Sequence, residues 1–276
     1  MFCGGFFTTV QEASSRTTKI KINKKLADLV DNNIDMLSKN EVKYIQSLCH
    51  KKLRDEEGVF VAEGPKLVQE IIASDYEIVK GYATKEWIEK NSEHSELVNE
   101  IASHEMEKIS SLQTPNQVVV IAKQKVLKDE PLLTGNLTLV LDTLQDPGNM
   151  GTIIRIADWF GVKQIVASEH CVDLYNSKVV QATMGSILRV NVWYKNLAQW
   201  MPSILIPVYG ALLDGESIYA IDAVSEAVLI VGNESKGISK ELLPMISQPV
   251  TIPKIGDAES LNAAVATGII LSHFRK

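Results

Sequence analysis

Cysteine is scarce in this chain. Three in 276 residues cannot frame a disulfide-stapled fold, and Cys3, Cys49 and Cys171 are too scattered for a zinc site. That points to a reducing, cytoplasmic compartment. Histidine is no richer a source of ligands. His170 and His273 have no second His or Cys at ligand spacing, so no metal is expected. No apolar run is long enough to cross a bilayer. Residues 1–10 are apolar but lack a basic n-region and are short for a signal peptide. Neither GxGxxG nor GxxxxGK[ST] occurs, which removes the dinucleotide fingerprint and the P-loop. Internal repeats and low-complexity tracts are missing too. Positive charge is in deficit: 28 Lys and Arg against 34 Asp and Glu, a net charge of −6. This argues against non-specific nucleic-acid binding, which runs on neutralised phosphates, but leaves room for a local basic face.

What remains, 45% hydrophobic and 22% charged residues, describes a soluble globular protein with length for two modest domains. Residues 1–35 show no sustained periodicity and are expected to be a poorly ordered leader. Met36 is a possible natural start, and Lys19, Lys21, Lys24 and Lys25 offer an alternative reading as an RNA-binding arm. From Met36 the pattern is α/β. An amphipathic helix is expected over 41–53, a short buried strand over 59–62, a helix from Pro65 through Ile72, and strands over 78–83 and 118–122. Residues 36–122 thus make a small α/β domain, and 123–136, with Pro131 and Gly135, a linker. In residues 137–276 the alternation is cleaner. Strands are expected at 137–141, 164–167, 188–193, 208–213 and 228–231, and helices at 149–160, 177–184 and 260–275. Near-continuous Val, Ile and Leu in the strands predict a parallel sheet covered on both faces.

Ligands in such sheets bind beyond the carboxyl ends of the strands, and three loops there carry the polar residues. The first is Asp146-Pro147-Gly148-Asn149-Met150-Gly151, with Arg155 about one and a half turns further along the helix it opens. Asn149 stands where an N-cap belongs, and Gly151 lets a ligand or another backbone approach closely. The second is Gly232-Asn233-Glu234-Ser235-Lys236-Gly237, a glycine turn holding a carboxylate. The third runs from Ile252-Pro253 to Glu259-Ser260-Leu261-Asn262, with Ser260 placed to cap the last helix and Asn262 in its first turn. Each residue has a plainer reading. Asn149 and Ser260 can be caps alone, the glycines plain turn residues, Arg155 a surface cation, and Glu234 a partner for Lys236. The weight comes from all three patterns occurring in order at strand ends.

Together the three segments resemble the motifs of the SpoU family of RNA ribose 2′-O-methyltransferases, over roughly residues 137–275. Residues 36–122, with Lys51-Lys52-Leu53-Arg54 and Phe60-Val61-Ala62-Glu63-Gly64, resemble more loosely the substrate-binding domain that precedes the catalytic one in many members. The resemblance implies a parallel-sheet catalytic domain with a deep trefoil knot, S-adenosylmethionine as cofactor, and a homodimer with the site near the subunit interface. It implies Asn149, Arg155, Glu234, Ser260 and Asn262 as catalytic residues. Gly232, Ile252 and Leu261 are implied as cofactor contacts. Arg155 would activate the hydroxyl, or clamp the adjacent phosphate and stabilise the developing alkoxide. The implied substrate is RNA, ribosomal rather than transfer, gripped by the N-terminal domain through Lys51, Lys52 and Arg54. The plainer reading of those three is a solvated helix end with cations near its C-terminus. The alternative function is a non-catalytic RNA-binding protein that keeps the scaffold.

Overall fold

A computed structural model describes residues 37–276. The leader, the Met36 start and the four lysines of the basic arm lie outside the described residues.

The described chain begins with two helices where one was expected. α1 (Lys39–Ser47) and α2 (Lys51–Glu57) replace the single helix read over 41–53. Ser38 and Glu41 form a reciprocal capping box at the start of α1. The corner between the helices is held by Arg54, whose guanidinium donates to Leu48 O and Cys49 O, each at 2.8 Å. Apolar spacing carries straight through such a corner, because a side chain takes over the carbonyls that a continuous helix would have bonded.

The first sheet follows, with β1 (Val59–Glu63), α3 (Pro65–Ile72), β2 (Ile78–Ala83), α4 (Lys85–Lys90), β3 (Asn99–Glu100), α5 (Ser103–Ile109) and β4 (Val118–Lys123). Its order is β1-β4-β2-β3, antiparallel except for β2 with β3. α1 is tied to this sheet where Lys80 meets Glu41 at 2.6 Å. The hydrogen bonds from Lys80 and Ser38 hold the Glu41 carboxyl down at about 2.

The second sheet comprises β5 (Leu137–Leu141), α6 (Pro147–Trp159), β6 (Gln164–Ser168), α7 (Ser177–Thr183), β7 (Asn191–Lys195), α8 (Leu197–Trp200), β8 (Val208–Ser217), β9 (Ala227–Val231), β10 (Gln248–Thr251) and α9 (Ala263–Phe274). Its six strands run β10-β8-β9-β5-β6-β7, every pair parallel, as the Val, Ile and Leu runs predict. The strand expected over 188–193 begins only at Asn191, since Ser186–Leu188 forms a 3₁₀ turn. β10 was not anticipated. It contains Pro249, which cannot donate to a ladder and is tolerated here at the sheet's edge.

The order places a topological switch at β5. The chain proceeds outward through β6 and β7 on one side, and returns later as β9 on the other. Leu141 pairs with Val231, so the loops leaving β5 and β9 start side by side, where such sheets bind ligands. One hydrophobic core joins the two sheets. Phe60 and Val120 of the first sheet belong to the same buried cluster as Tyr175, Val179 and Leu139. Among the described residues, no helix is long and apolar enough to cross a membrane.

Candidate active site

The site is built outward from the end of β5. Asp142 is buried, and its carboxylate accepts from Ser239 N at 2.7 Å and from Thr143 Oγ1 at 3.0 Å. Thr143 has φ +54°, a left-handed conformation that is rare for a β-branched residue. Its N–H donates to Ser168 Oγ at 2.9 Å, and its carbonyl accepts from Asn233 Nδ2 at 2.8 Å. Asn233 Oδ1 in turn accepts from Ser235 N at 3.0 Å and Lys236 N at 3.1 Å. The loop after β5 and the loop after β9 are therefore clamped together by short polar side chains. Burial pushes the neighbouring Cys171 thiol up. It stays protonated and donates to Leu141 O at 3.3 Å, which makes it structural rather than nucleophilic.

Onto this clamp the structure brings three of the expected residues. Asn149 Nδ2 donates to Glu234 Oε1 at 2.7 Å, and Asn262 Nδ2 donates to Asn149 Oδ1 at 2.8 Å. A carboxylate can only accept, so the Asn149 amide is oriented at both ends. One chain of hydrogen bonds thus crosses all three loops. Glu234 pairs with Asn149, not with Lys236 as the plainer reading had it.

Two capping assignments need correction. Asp146, not Asn149, caps α6: the helix starts at Pro147 and Asn149 N donates to Asp146 Oδ1 at 2.7 Å. This frees the Asn149 side chain for the network. Likewise Asn262, not Ser260, caps α9, accepting from Ala264 N at 2.9 Å and Val265 N at 3.2 Å. Ser260 lies two residues earlier in an exposed stretch, and among the described residues its side chain has no hydrogen-bond partner. Gly151 admits another backbone rather than a ligand, since a Cβ there would stand 2.5 Å from Ala182 Cβ and 2.8 Å from Val179 O.

Arg155 is exposed on α6 and has no ion-pair partner among the described residues. Six residues of helix separate it from Asn149 by about 9 Å along the axis and roughly 120° around it, so the two side chains leave α6 from different faces. Gly232 is required by the fold itself. A Cβ there would stand 2.2 Å from the Gly237 carbonyl carbon, inside the hairpin closed by the Asn233–Gly237 bridge. Ile252 is half-buried against the core, whereas Leu261 is exposed.

The cations of the N-terminal domain separate sharply. Arg54 is 2% exposed and pairs with Asp173 at 2.5 Å besides holding the α1–α2 corner. An RNA contact is therefore ruled out for it on accessibility. Lys51 and Lys52 are exposed and pair with Asp55 and Glu56. They sit at the start of α2, which overturns the C-terminal reading of these charges. Asp142, Thr143 and Asn233 were missed. A carboxylate directly after the largely aliphatic strand 137–141 was the available signal for the first of them.

Comparison with known proteins supplies the family context. The SpoU rRNA methylase family matches residues 136–272, and an MRM3-like substrate binding domain matches residues 39–120. The 23S rRNA (guanosine(2553)-2′-O)-methyltransferase RlmP of Bacillus subtilis is 32% identical over 248 residues, covering 88% of this chain and 98% of that one. An RNA methyltransferase of the TrmH family from Porphyromonas gingivalis superposes with a TM-score of 0.78 at 38% identity, over 87% of this chain and 98% of the other. The AdoMet-bound rRNA methyltransferase of Sinorhizobium meliloti does so with a TM-score of 0.77 at 32% identity, over 87% and 95%.

Proposed function

Since the chain belongs to the SpoU rRNA methylase family, we infer that it is an S-adenosylmethionine-dependent methyltransferase acting on a ribose 2′-hydroxyl of RNA, ribosomal rather than transfer. The observation that carries this reading is the Glu234–Asn149–Asn262 chain, which fixes one amide at the switch point of the sheet with Arg155 on the same helix.

When bound, S-adenosylmethionine supplies a methyl group on a positively charged sulfur, already electrophilic without a metal. What this chain must add is alignment and charge control at the 2′-oxygen. The residues present fit the cofactor. Residues 253–262 are all exposed and outside any helix or strand, with Ile255 and Leu261 uncovered beside half-buried Ile252. Apolar side chains and accessible backbone stand together there, on the strand-end side of the sheet, and Gly232 keeps the 232–237 hairpin tight. Arg155 cannot serve as an unaided base, because its pKa exceeds about 12. It clamps the phosphate next to the target ribose and stabilises the developing alkoxide. Asn149 orients the ribose, Glu234 and Asn262 orient Asn149, and Ser260, exposed two residues before the α9 cap, hydrogen-bonds the ribose.

The same proposal covers the finer features. Residues 36–122 hold the RNA, with Lys51 and Lys52 as its cations, 123–136 link, and 137–276 catalyse. A trefoil knot is supported by the path of α9, which returns from the edge strand β10 to lay Gly268 against Ile156 of α6. A homodimer is supported by Trp159 on α6, 84% exposed, and by Val265 on α9, half exposed, both apolar side chains without cover. Free Cys49 and Cys171 suit a reducing cytoplasm.

The test is transfer of a labelled methyl group from S-adenosylmethionine to unmethylated ribosomal and transfer RNA, with Arg155→Ala alongside. Alkali-resistant 2′-O-methyl label in ribosomal RNA is expected, and a loss of roughly a hundredfold in kcat for the variant with cofactor binding intact. Turnover of the variant close to wild type would remove Arg155 from the mechanism.

A further inference from the structure

We propose that a cleft of about 340 Å³ between the two sheets holds one unstacked base of the substrate RNA, at a nucleotide other than the one methylated. This rests on the RNA-methyltransferase reading above and adds a second contact to it. The cleft lies against β7, an outer strand of the six-stranded sheet. Its other walls come from the start of α2, from Tyr76 ahead of β2, and from residues 124–127 of the linker. Both domains therefore contribute to it. It is separate from the Asn149 network but linked to it through one residue of the loop after β6. Val172 N donates to Leu144 O at 2.8 Å, just ahead of α6, and Val172 O accepts from Tyr194 Oη at 2.7 Å on β7.

Three features of the lining match a nucleotide. The first is aromatic. Tyr194 is 37% exposed, yet its hydroxyl is held against Val172 O, and burial pushes that hydroxyl's pKa up. What it shows to the cleft is therefore its ring, and half-buried Tyr76 supplies a second one. Every base has a face that stacks on such rings. The second feature is an open strand edge. Asn191 N donates to Lys163 O on the β6 side, so by alternation Val192 and Tyr194 turn their N–H and C=O groups outward. The edge of an unstacked base offers matching donors and acceptors in one plane. Two outward residues make too short a ladder for an added peptide strand, which sets a base above a peptide as the occupant. The third feature is charge. Asp173 is neutralised by Arg54, and Asp55 by Lys51 at 2.6 Å. Lys125 has only a loose partner, Asp75 at 4.0 Å, and its ammonium stands 6.0 Å from the Tyr76 ring centre. It is the cation placed to take the phosphate of a base stacked beside it.

The experiment measures binding of the full chain to unmethylated ribosomal RNA over a salt series, with labelled methyl transfer from S-adenosylmethionine to the same RNA alongside. Tyr194→Phe keeps the ring and loses the Val172 bond, whereas Tyr194→Leu loses both. The leucine variant should weaken RNA binding roughly tenfold, the scale of one stacked base, and the phenylalanine variant should stay near wild type. Lys125→Ala should reduce the slope of log affinity against log salt by about 0.7, the share of one phosphate on a single strand. The affinity for S-adenosylmethionine and kcat should hold in all three. Equal losses in the two tyrosine variants would trace the effect to the Val172 bond rather than the ring, and would overturn the proposal. So would RNA binding and a salt slope unchanged in both Tyr194→Leu and Lys125→Ala, which would leave the cleft to another occupant. A wild type that binds RNA with these losses in the variants, yet transfers no methyl group, would sink the methyltransferase reading and keep the cleft. A wild type that binds no RNA would remove both.

Discussion

Asn149 is the residue on which the three loops converge, and its chemistry cannot be conserved by its nearest isostere. In Asn149→Asp the nitrogen that donates to Glu234 at 2.7 Å becomes an oxygen, setting two carboxylates in contact. Like charges that close cannot both ionise comfortably, so the pKa of one of them rises. The variant should lose about a hundredfold in kcat at neutral pH, the scale expected when a catalytic group moves by about 1 Å. Activity relative to wild type should then recover as pH falls, because one shared proton restores a donor between the two oxygens. A pH profile of kcat for both proteins tests this. A flat ratio across pH would mean that the Asn149–Glu234 bond is idle in catalysis. The importance of Asn149 was legible from sequence, but its role was not. Asp, Asn and Ser are near-equivalent caps, so the run from Asp146 to Asn149 does not say which side chain caps and which is left free. Tertiary contacts decided that, by placing Glu234 within reach of one of them. The same ambiguity exchanged Ser260 for Asn262. Arg54 was misread for a related reason: a cation's burial leaves no mark on composition.

At the scale of elements, the crossing of α6 and α7 at Gly151 sets the position of the first loop. A methyl group added there would meet Ala182 and the Val179 carbonyl well inside contact distance. Backbone lines one side of that contact, so the helices must separate. Gly151→Ala should cost roughly 1–3 kcal/mol of stability, the usual range for overpacking. It should also lower kcat more than that loss explains, since Asn149 lies two residues upstream on the displaced helix. Thermal melts and single-turnover rates below the melting transition separate the two effects. Equal stability with full activity would show the crossing to be slack. The long elements were readable because period and apolarity agree in them: β9 is apolar throughout, β5 is apolar but for buried Thr138, and the last helix, expected over 260–275, runs from Ala263 to Phe274. Short elements were not. β3 has two exposed residues and β10 carries a proline, so neither has a pattern of its own. Both exist because a neighbouring strand supplies the partner groups.

At the scale of the whole molecule, the question is whether the two sheets fold as one unit. The shared core says that they do, since Phe60 and Tyr175 stack at 4.8 Å across the boundary and Lys125 N donates to Tyr175 Oη at 2.9 Å. The buried Arg54–Asp173 pair is the sharpest probe of that coupling. Removing one partner of a buried pair strands the other charge, and here it also opens the α1–α2 corner. Arg54→Met should therefore cost about 3 kcal/mol, the lower end for such pairs because Asp173 keeps some solvent. For a domain of this size that lowers Tm by roughly 6–12 °C. Adding Asp173→Asn should return part of the loss, because the stranded charge is gone. Calorimetry should show one transition in the wild type and both variants. Two resolved transitions would mean that the sheets fold independently. An unshifted Tm in Arg54→Met would mean that the Arg54–Asp173 pair does not hold the two sheets together.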